Sequence, residues 1–379
     1  MKIAIIFSRY TELTPSGENV MTPLYTKALQ KMGHSVSMYE VKSDDFNTSN
    51  WNYKFRSAFR VASGIGVSPS IFLDQEKPDL IIIQNLFPNI SSNWMKSRSE
   101  PIISFVHNFR FFCAAATFFR NDQQCFKCIE NSPLAGLKYR CYKNSRLATL
   151  PLTFRHLMST ENRPELTEPQ KFVVLSETAS THLQVAGIPR NKIEVVTNFI
   201  PKTIYQGQTY RNKWVYVGRL TPEKGILELL KNWPKGYSLD IYGTGPLQKE
   251  VEQYASKNSE IKLFPNLGRE ELLSKLPNYF GAVFPSQWME GMPLVVLEFL
   301  NASLPVIALE GTSVTGLIKE GEAGIILSKI STQSLTQAFE EISSGYPKFR
   351  KNSNMLFESH FSESIWIEKM SSILESCAK

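Results

Sequence analysis

Two glutamates stand eight residues apart in the stretch Glu290-Gly-Met-Pro-Leu-Val-Val-Leu-Glu298. The first is expected in a loop after the apolar run 281–286, the second on the second turn of a helix. Pro293 suits a first helical turn, where its missing N–H is no loss, and Gly291 lets the backbone approach a ligand closely. The free N–H groups of Gly291 to Leu294, with Met292 between them, then make an anion site. Arg219 and Lys224 lie five residues apart, just after another apolar run. Together they offer a planar fork and a point charge for a diphosphate. A phosphate cradle with an acid on either side for hydroxyl groups suits a nucleotide-sugar. The competing reading of the stretch alone is an ordinary strand-to-helix connection with two solvated glutamates.

A second constellation is Cys113, Cys125, Cys128 and Cys141. Cys125-Phe-Lys-Cys128 has the spacing of a zinc knuckle, and the other two thiols flank it at similar distances along the chain. Four thiolates in a compact insertion fit a structural tetrahedral zinc. The segment 96–146 carries nine basic residues against three acids, and cations stabilise thiolates. Free buried thiols, a redox pair or an iron–sulfur cluster are the alternatives. The remaining thiol, Cys377, is alone, and an odd, clustered count argues against a secreted disulfide framework.

The elements that must position these residues alternate along the chain. Lys2–Phe7, residues 34–40, Asp79–Gln84, Pro101–His107, Lys171–Ser176 and 192–201 read as buried strands, with helices between them. His107-Asn108 falls at the carboxyl end of its strand, the end that faces a ligand crevice in an open α/β sheet. A polar linker spans about 201–212. The pattern then restarts with Trp214–Gly218, residues 238–242, 261–264, 281–285, 304–308 and 323–327. Gly243-Thr-Gly245 is read as a close approach near a nucleotide. Helices are expected at 335–343 and 362–377. A chain of 379 residues with 42% hydrophobic and 20% charged content is globular and long enough for two domains. No apolar run approaches the ~20 residues that span a bilayer, and the N-terminus reads as a buried first strand rather than a signal peptide.

Taken together these motifs resemble the family-4 retaining glycosyltransferases. The stretch from Glu290 to Glu298 is similar to their Glu-Gly-x-Pro-x4-Glu signature. Gly218-Arg219 with Lys224-Gly225, Gly243-x-Gly245-Pro246, and the loop Pro15-Ser16-Gly17-Glu18 resemble further marks of the family. In that loop Gly17-Glu18 stands where the family often has Gly-Gly. The resemblance implies a GT-B fold: two doubly wound, Rossmann-like α/β domains facing across a cleft. It divides the chain into an acceptor domain, 1–200, joined by the last helix, about 361–379, and a donor domain, 201–360. A cysteine-bearing insertion, 110–146, is shared by a subset of the family and sits in the first domain. By the same resemblance His107 works near the donor sugar, Glu290 bonds its hydroxyls and Glu298 bonds the ribose. Arg219 and Lys224 stabilise the diphosphate. Gly17, Glu18, Gly218, Gly243, Asn266, Leu267, Gly291, Met292, Pro293 and Leu294 line the donor. No metal or other cofactor is expected in the chemistry, and any zinc is structural.

The implied activity moves a hexose from a UDP- or GDP-linked donor to a glycan or lipid-linked acceptor, as in bacterial surface polysaccharide assembly. A sugar-phosphate synthase of the same fold, a non-catalytic nucleotide-sugar binder and a nucleic-acid module are the alternatives. The last leaves the second half unexplained, so no nucleic acid is expected as a partner. The formal charge of +7 and the aromatic–basic segment with Trp51, Tyr53, Phe55 and Phe59 admit either a packed amphipathic helix or contact with anionic lipid. The expected location is the cytoplasm, with peripheral attachment to the inner face of the membrane.

Overall fold

The computed structural model describes residues 1–10, 17–46, 50–121, 123–203, 213–265, 267–288 and 290–377. Two compact units divide the chain. One comprises Met1–Phe118, Cys125–Asn198 and Trp366–Lys379; the other comprises Phe119–Gln124 and Phe199–Ile365.

The first unit is built on six strands: β1 (Lys2–Arg9), β2 (Ser35–Lys42), β3 (Leu80–Asn85), β4 (Ile102–Val106), β5 (Lys171–Val174) and β6 (Ile193–Val195). They pair in the order β2-β1-β3-β4-β5-β6, all parallel. Ile3, Ile5, Ile81, Ile82 and Ile103 are buried to within about 1%. This explains why the strands read as continuous aliphatic runs, since a parallel sheet is covered on both faces. The strand order reverses between β1 and β3, which opens a crevice at their carboxyl ends. Helix Glu363–Cys377 brings buried Trp366 onto Tyr25 of helix Gly17–Lys31, with ring centroids 5.1 Å apart and planes within 9°.

The second unit repeats the plan with β7 (Lys213–Val217), β8 (Ser238–Tyr242), β9 (Ile261–Phe264), β10 (Gly281–Phe284), β11 (Val306–Leu309) and β12 (Gly324–Leu327). The order is β9-β8-β7-β10-β11-β12, again all parallel. Its reversal lies between β7 and β10. Trp214 is fully buried and stacks on Phe339 at 4.1 Å. A side chain on Gly281 of the neighbouring strand would come within 2.4 Å of that indole, so glycine there makes room for the largest residue of the core. Losing such a buried aromatic costs about 3–5 kcal/mol.

Several elements depart from the sequence expectation. The strand expected at 192–201 is only Ile193–Val195. Helix Tyr346–His360 was not anticipated, because it buries only Ser353, Leu356 and Phe357 and so carries little apolar periodicity. The aromatic–basic segment forms helix Trp51–Ser63, capped by the Asn50 side chain accepting from the Asn52 N–H and ended by Gly64 in the left-handed region. Helix Leu294–Asn301 starts one residue later than expected: Pro293 is its extended cap, at φ −72° and ψ 116°, rather than its first turn. Most of the polar linker, and Pro15 and Ser16 of the first loop, lie outside the described residues.

Candidate functional site

The second unit gathers its polar groups where β7 and β10 part. β7 ends at Val217, and Gly218 and Arg219 turn away from it. The turn is tight because Gly243, after β8, lies directly against it: a Cβ on Gly243 would come within 1.9 Å of the Gly218 carbonyl oxygen. The two loops are tied by the Leu220 N–H donating to Thr244 O at 2.8 Å. The sequence reading of Gly243 as a close approach is therefore met by chain on chain. Tyr216 Oη donates to Arg219 O at 3.0 Å, while the Arg219 side chain is 61% exposed and only loosely near Glu223.

Lys224 reaches the loop after β10. Its ammonium donates to Glu290 Oε1 at 2.5 Å, and Ser286 Oγ donates to the same oxygen at 3.0 Å. The ammonium also lies 5.5 Å from the Trp288 ring centroid. Both partners of the Lys224–Glu290 pair are mostly covered, so the pair is shielded from the screening that weakens surface ion pairs. Glu298, on the second turn of Leu294–Asn301, is 3% exposed. Burial raises its pKa, and its ion pair with Arg269 pulls the other way. Arg269 opens helix Arg269–Lys275, immediately after Leu267 and Gly268. Thus Gly218 meets Gly243, Lys224 meets Glu290 and Glu298 meets Arg269, all on loops and helices that follow the carboxyl ends of the strands, with Gly291, Met292, Pro293 and Leu294 in the chain between the two glutamates. Asn266 lies outside the described residues. Sequence reasoning missed Arg269, Ser286 and Trp288. A cation just past a glycine at a helix start was the available signal for Arg269.

The first unit has its own cluster at the β1/β3 crevice. His107, just past β4, bonds through Nε2 to Gln84 Oε1 at 2.7 Å. Burial pushes its pKa down to about 4, so the ring is neutral at pH 7. Glu18, next to Gly17 at the start of the first helix, is 6% exposed and accepts from Asn108 Nδ2 at 2.8 Å. Burial raises its pKa to about 7, against the lowering effects of the Asn108 bond and the Arg110 charge. Beside them lies a cavity of about 90 Å³ lined by Gln84, His107, Arg110 and further arginines. A neutral imidazole and a carboxyl balanced between its two forms can bond hydroxyl groups and pass a proton at neutral pH.

The four cysteines lie in the first unit around Gly136. A Cβ there would be 3.7 Å from Cys128 Sγ and 3.4 Å from Ala114 Cβ, and the Cys141 N–H donates to Gly136 O at 3.0 Å. Burial, then the neighbouring Cys113 and Cys141, push the Cys128 thiol up to about 12. Among the described residues no group of three or more His, Cys, Asp or Glu is arranged to hold a metal ion. The zinc expectation therefore rests on spacing and shared location.

Residues 204–354 match the family described as glycosyl transferases group 1. An uncharacterized glycosyltransferase of Methanocaldococcus jannaschii is 26% identical over 158 residues, 40% of this chain and 44% of that protein. The capsular polysaccharide biosynthesis glycosyltransferase CapM of Staphylococcus aureus is 24% identical over 240 residues, 60% of each chain. The chain thus spans about half the length of these curated relatives. The solved structure of Anabaena HepE in complex with UDP has the same fold, with a TM-score of 0.64, 14% identity and 99% and 100% of the two chains covered. The two parallel six-stranded sheets are those of the GT-B fold.

The raised pKa of Glu18 has a thermodynamic consequence. Its folded value of about 7 lies above the ordinary 4.5, so the protonated form is favoured in the folded state. That contribution is complete below pH 4.5 and is lost as pH rises through 7, at a cost on the order of 3 kcal/mol by pH 8. Glu18→Gln is expected to raise the unfolding midpoint at pH 8 and to leave it near wild type at pH 5. A denaturation series at the two pH values checks this; a gain independent of pH contradicts it.

Proposed function

We propose that this chain, which has the GT-B fold and carries a glycosyl transferases group 1 domain at residues 204–354, is a retaining glycosyltransferase. In this reading it moves a hexose from a UDP- or GDP-linked donor to a glycan or lipid-linked acceptor during surface polysaccharide assembly. The observation that carries the reading is the pairing of two carboxylates with two cations in the second unit, Lys224 with Glu290 and Arg269 with Glu298. Kinship with CapM supports the polysaccharide role, and the UDP complex of HepE supports the donor class.

In the proposed mechanism the donor exchanges the internal ion pairs for its own. The diphosphate takes the Lys224 ammonium and the exposed Arg219 guanidinium. This releases Glu290 toward the sugar hydroxyls and leaves Glu298 for the ribose. The cations stabilise negative charge as it develops on the leaving diphosphate, usually a large catalytic contribution. Neutral His107 bonds a sugar hydroxyl without competing for the phosphate. Glu18, with Gly17, lines the donor in this reading, where a carboxyl balanced between its two forms can bond a hydroxyl group. The four cysteines hold a structural zinc in the same reading, supported by the Cys125-x2-Cys128 spacing and by their common seat around Gly136.

A thermal-shift panel of UDP, GDP, ADP and dTDP on wild type and Glu298→Gln tests the donor site. A ligand that binds only the folded state stabilises it by about 2.7 kcal/mol at a hundred times Kd. One nucleotide is expected to raise the melting point of wild type and not of the variant. Equal shifts in both would remove Glu298 from the site. Metal analysis of the purified chain is expected to give one zinc per molecule, lost in Cys125→Ser/Cys128→Ser together with thermal stability. Four freely titrating thiols and no zinc in the wild type would refute the metal.

A further inference from the structure

Two helices of the first unit are amphipathic in the wrong sense for a water-facing surface. Helix Trp51–Ser63 exposes Trp51 at 75%, Phe55 at 67% and Phe59 at 55%. Their spacing of four residues lines them up on one stripe. Helix Arg146–Leu157 exposes Leu147 at 79%, with Leu150, Phe154 and Leu157 each about half exposed. These follow one another at three- and four-residue steps, again on one stripe. The inward faces carry the polar groups instead. Arg60 is 9% exposed and donates to Pro88 O at 3.0 Å. Tyr53 Oη donates to Asn89 at 2.8 Å. Arg155 is 6% exposed and is paired with Glu165 at 2.5 Å.

The two helices pack against each other. Gly64, just past the first, would carry a Cβ 3.0 Å from Arg155 Nη2 near the end of the second. The two helices, each with an apolar stripe outward, thus lie side by side. An exposed apolar area of that extent, rimmed by polar groups, marks an interaction site on a soluble fold.

The two helices and the approach to the second carry one sign of charge. Lys54 and Arg56 on the first helix are exposed, as are Lys138, Arg140, Lys143 and Arg146 at the approach to the second. Neither helix contains an acid, and residues 131–157 contain none. Apolar and aromatic side chains on helices whose own charges are all basic complement a bilayer that carries anionic headgroups. A second copy of the same face would set basic rim against basic rim.

We propose that helices Trp51–Ser63 and Arg146–Leu157 form a docking face for an anionic bilayer surface, with the aromatic and leucine stripe entering the interface and the basic rim meeting the headgroups. Trp51, Phe55, Leu147 and Phe154 all lie outside the buried core, so substitutions there leave the fold intact. This surface is independent of the donor assignment.

Flotation of the full chain with vesicles of phosphatidylcholine, with and without phosphatidylglycerol, tests the proposal. Wild type is expected to float with phosphatidylglycerol vesicles at low salt and to dissociate as salt rises. Trp51→Ser/Phe55→Ser/Leu147→Ser/Phe154→Ser is expected to lose binding at least tenfold with an unchanged melting point. Lys54→Ala and Arg146→Ala are each expected to weaken it about fivefold. Wild type that stays unbound at low salt, or a quadruple variant that binds as well as wild type, overturns the proposal. So does equal binding to uncharged vesicles. A two-chain mass in solution that the quadruple variant reduces to one chain would assign the face to self-association instead.

Discussion

A strand covered on both faces has nowhere to place a functional side chain except past its end. That constraint governs both units. Ile3 to Phe7, Ile81 to Ile83 and Trp214 to Tyr216 are buried almost completely, so the middle of each sheet is mainly apolar, and buried Asp240 is held there by Lys213 and Tyr279. The polar groups are pushed to the carboxyl ends, and the reversal of strand order decides which ends are not roofed by a crossing helix. In the first unit this selects Glu18, Gln84, His107 and Asn108. In the second it selects Arg219, Lys224, Ser286 and Glu290.

The two ends differ in electrostatic character. In the second unit both carboxylates of the 290–298 stretch have a cation: Glu290 has Lys224 and Glu298 has Arg269. Such pairs hold charge in place at the cost of desolvation, and breaking one partner leaves the other uncompensated. A ligand that offers phosphate to the cations and hydroxyls to the acids replaces each bond it disrupts. In the first unit burial acts with less compensation. It lowers His107 toward neutrality and raises Glu18 to about 7, so that cluster deals in neutral hydrogen bonds and protons rather than fixed charge.

The strands and the acid pair were legible in the sequence because their signals are local. Isoleucine runs announce buried parallel strands, and Glu290-Gly-x-Pro announces a loop entering a helix. The polar residue that ends the strand run, Ser176, caps the next helix by accepting from the Ala179 N–H at the start of Glu177–Val185. What escaped depends on distant contacts. Nothing near Arg269 in the chain indicates Glu298 as its partner, and nothing near Gln84 indicates His107. Helix Tyr346–His360 was hidden because its covered face is partly polar, with Ser353 donating to Ala323 O at 3.2 Å. The outward aromatic stripe of Trp51–Ser63 was visible as a stripe, but periodicity alone does not say which face is buried.

The central claim is that a nucleoside diphosphate lies at the carboxyl ends of β7 and β10. Photo-crosslinking with an azido-UDP or azido-GDP probe, followed by peptide mapping, tests it most directly. The account predicts label in peptides spanning 218–224 and 286–298, suppressed by excess unlabelled nucleotide. Competable label confined to peptides of the first unit, such as those carrying Glu18 or His107, would contradict it.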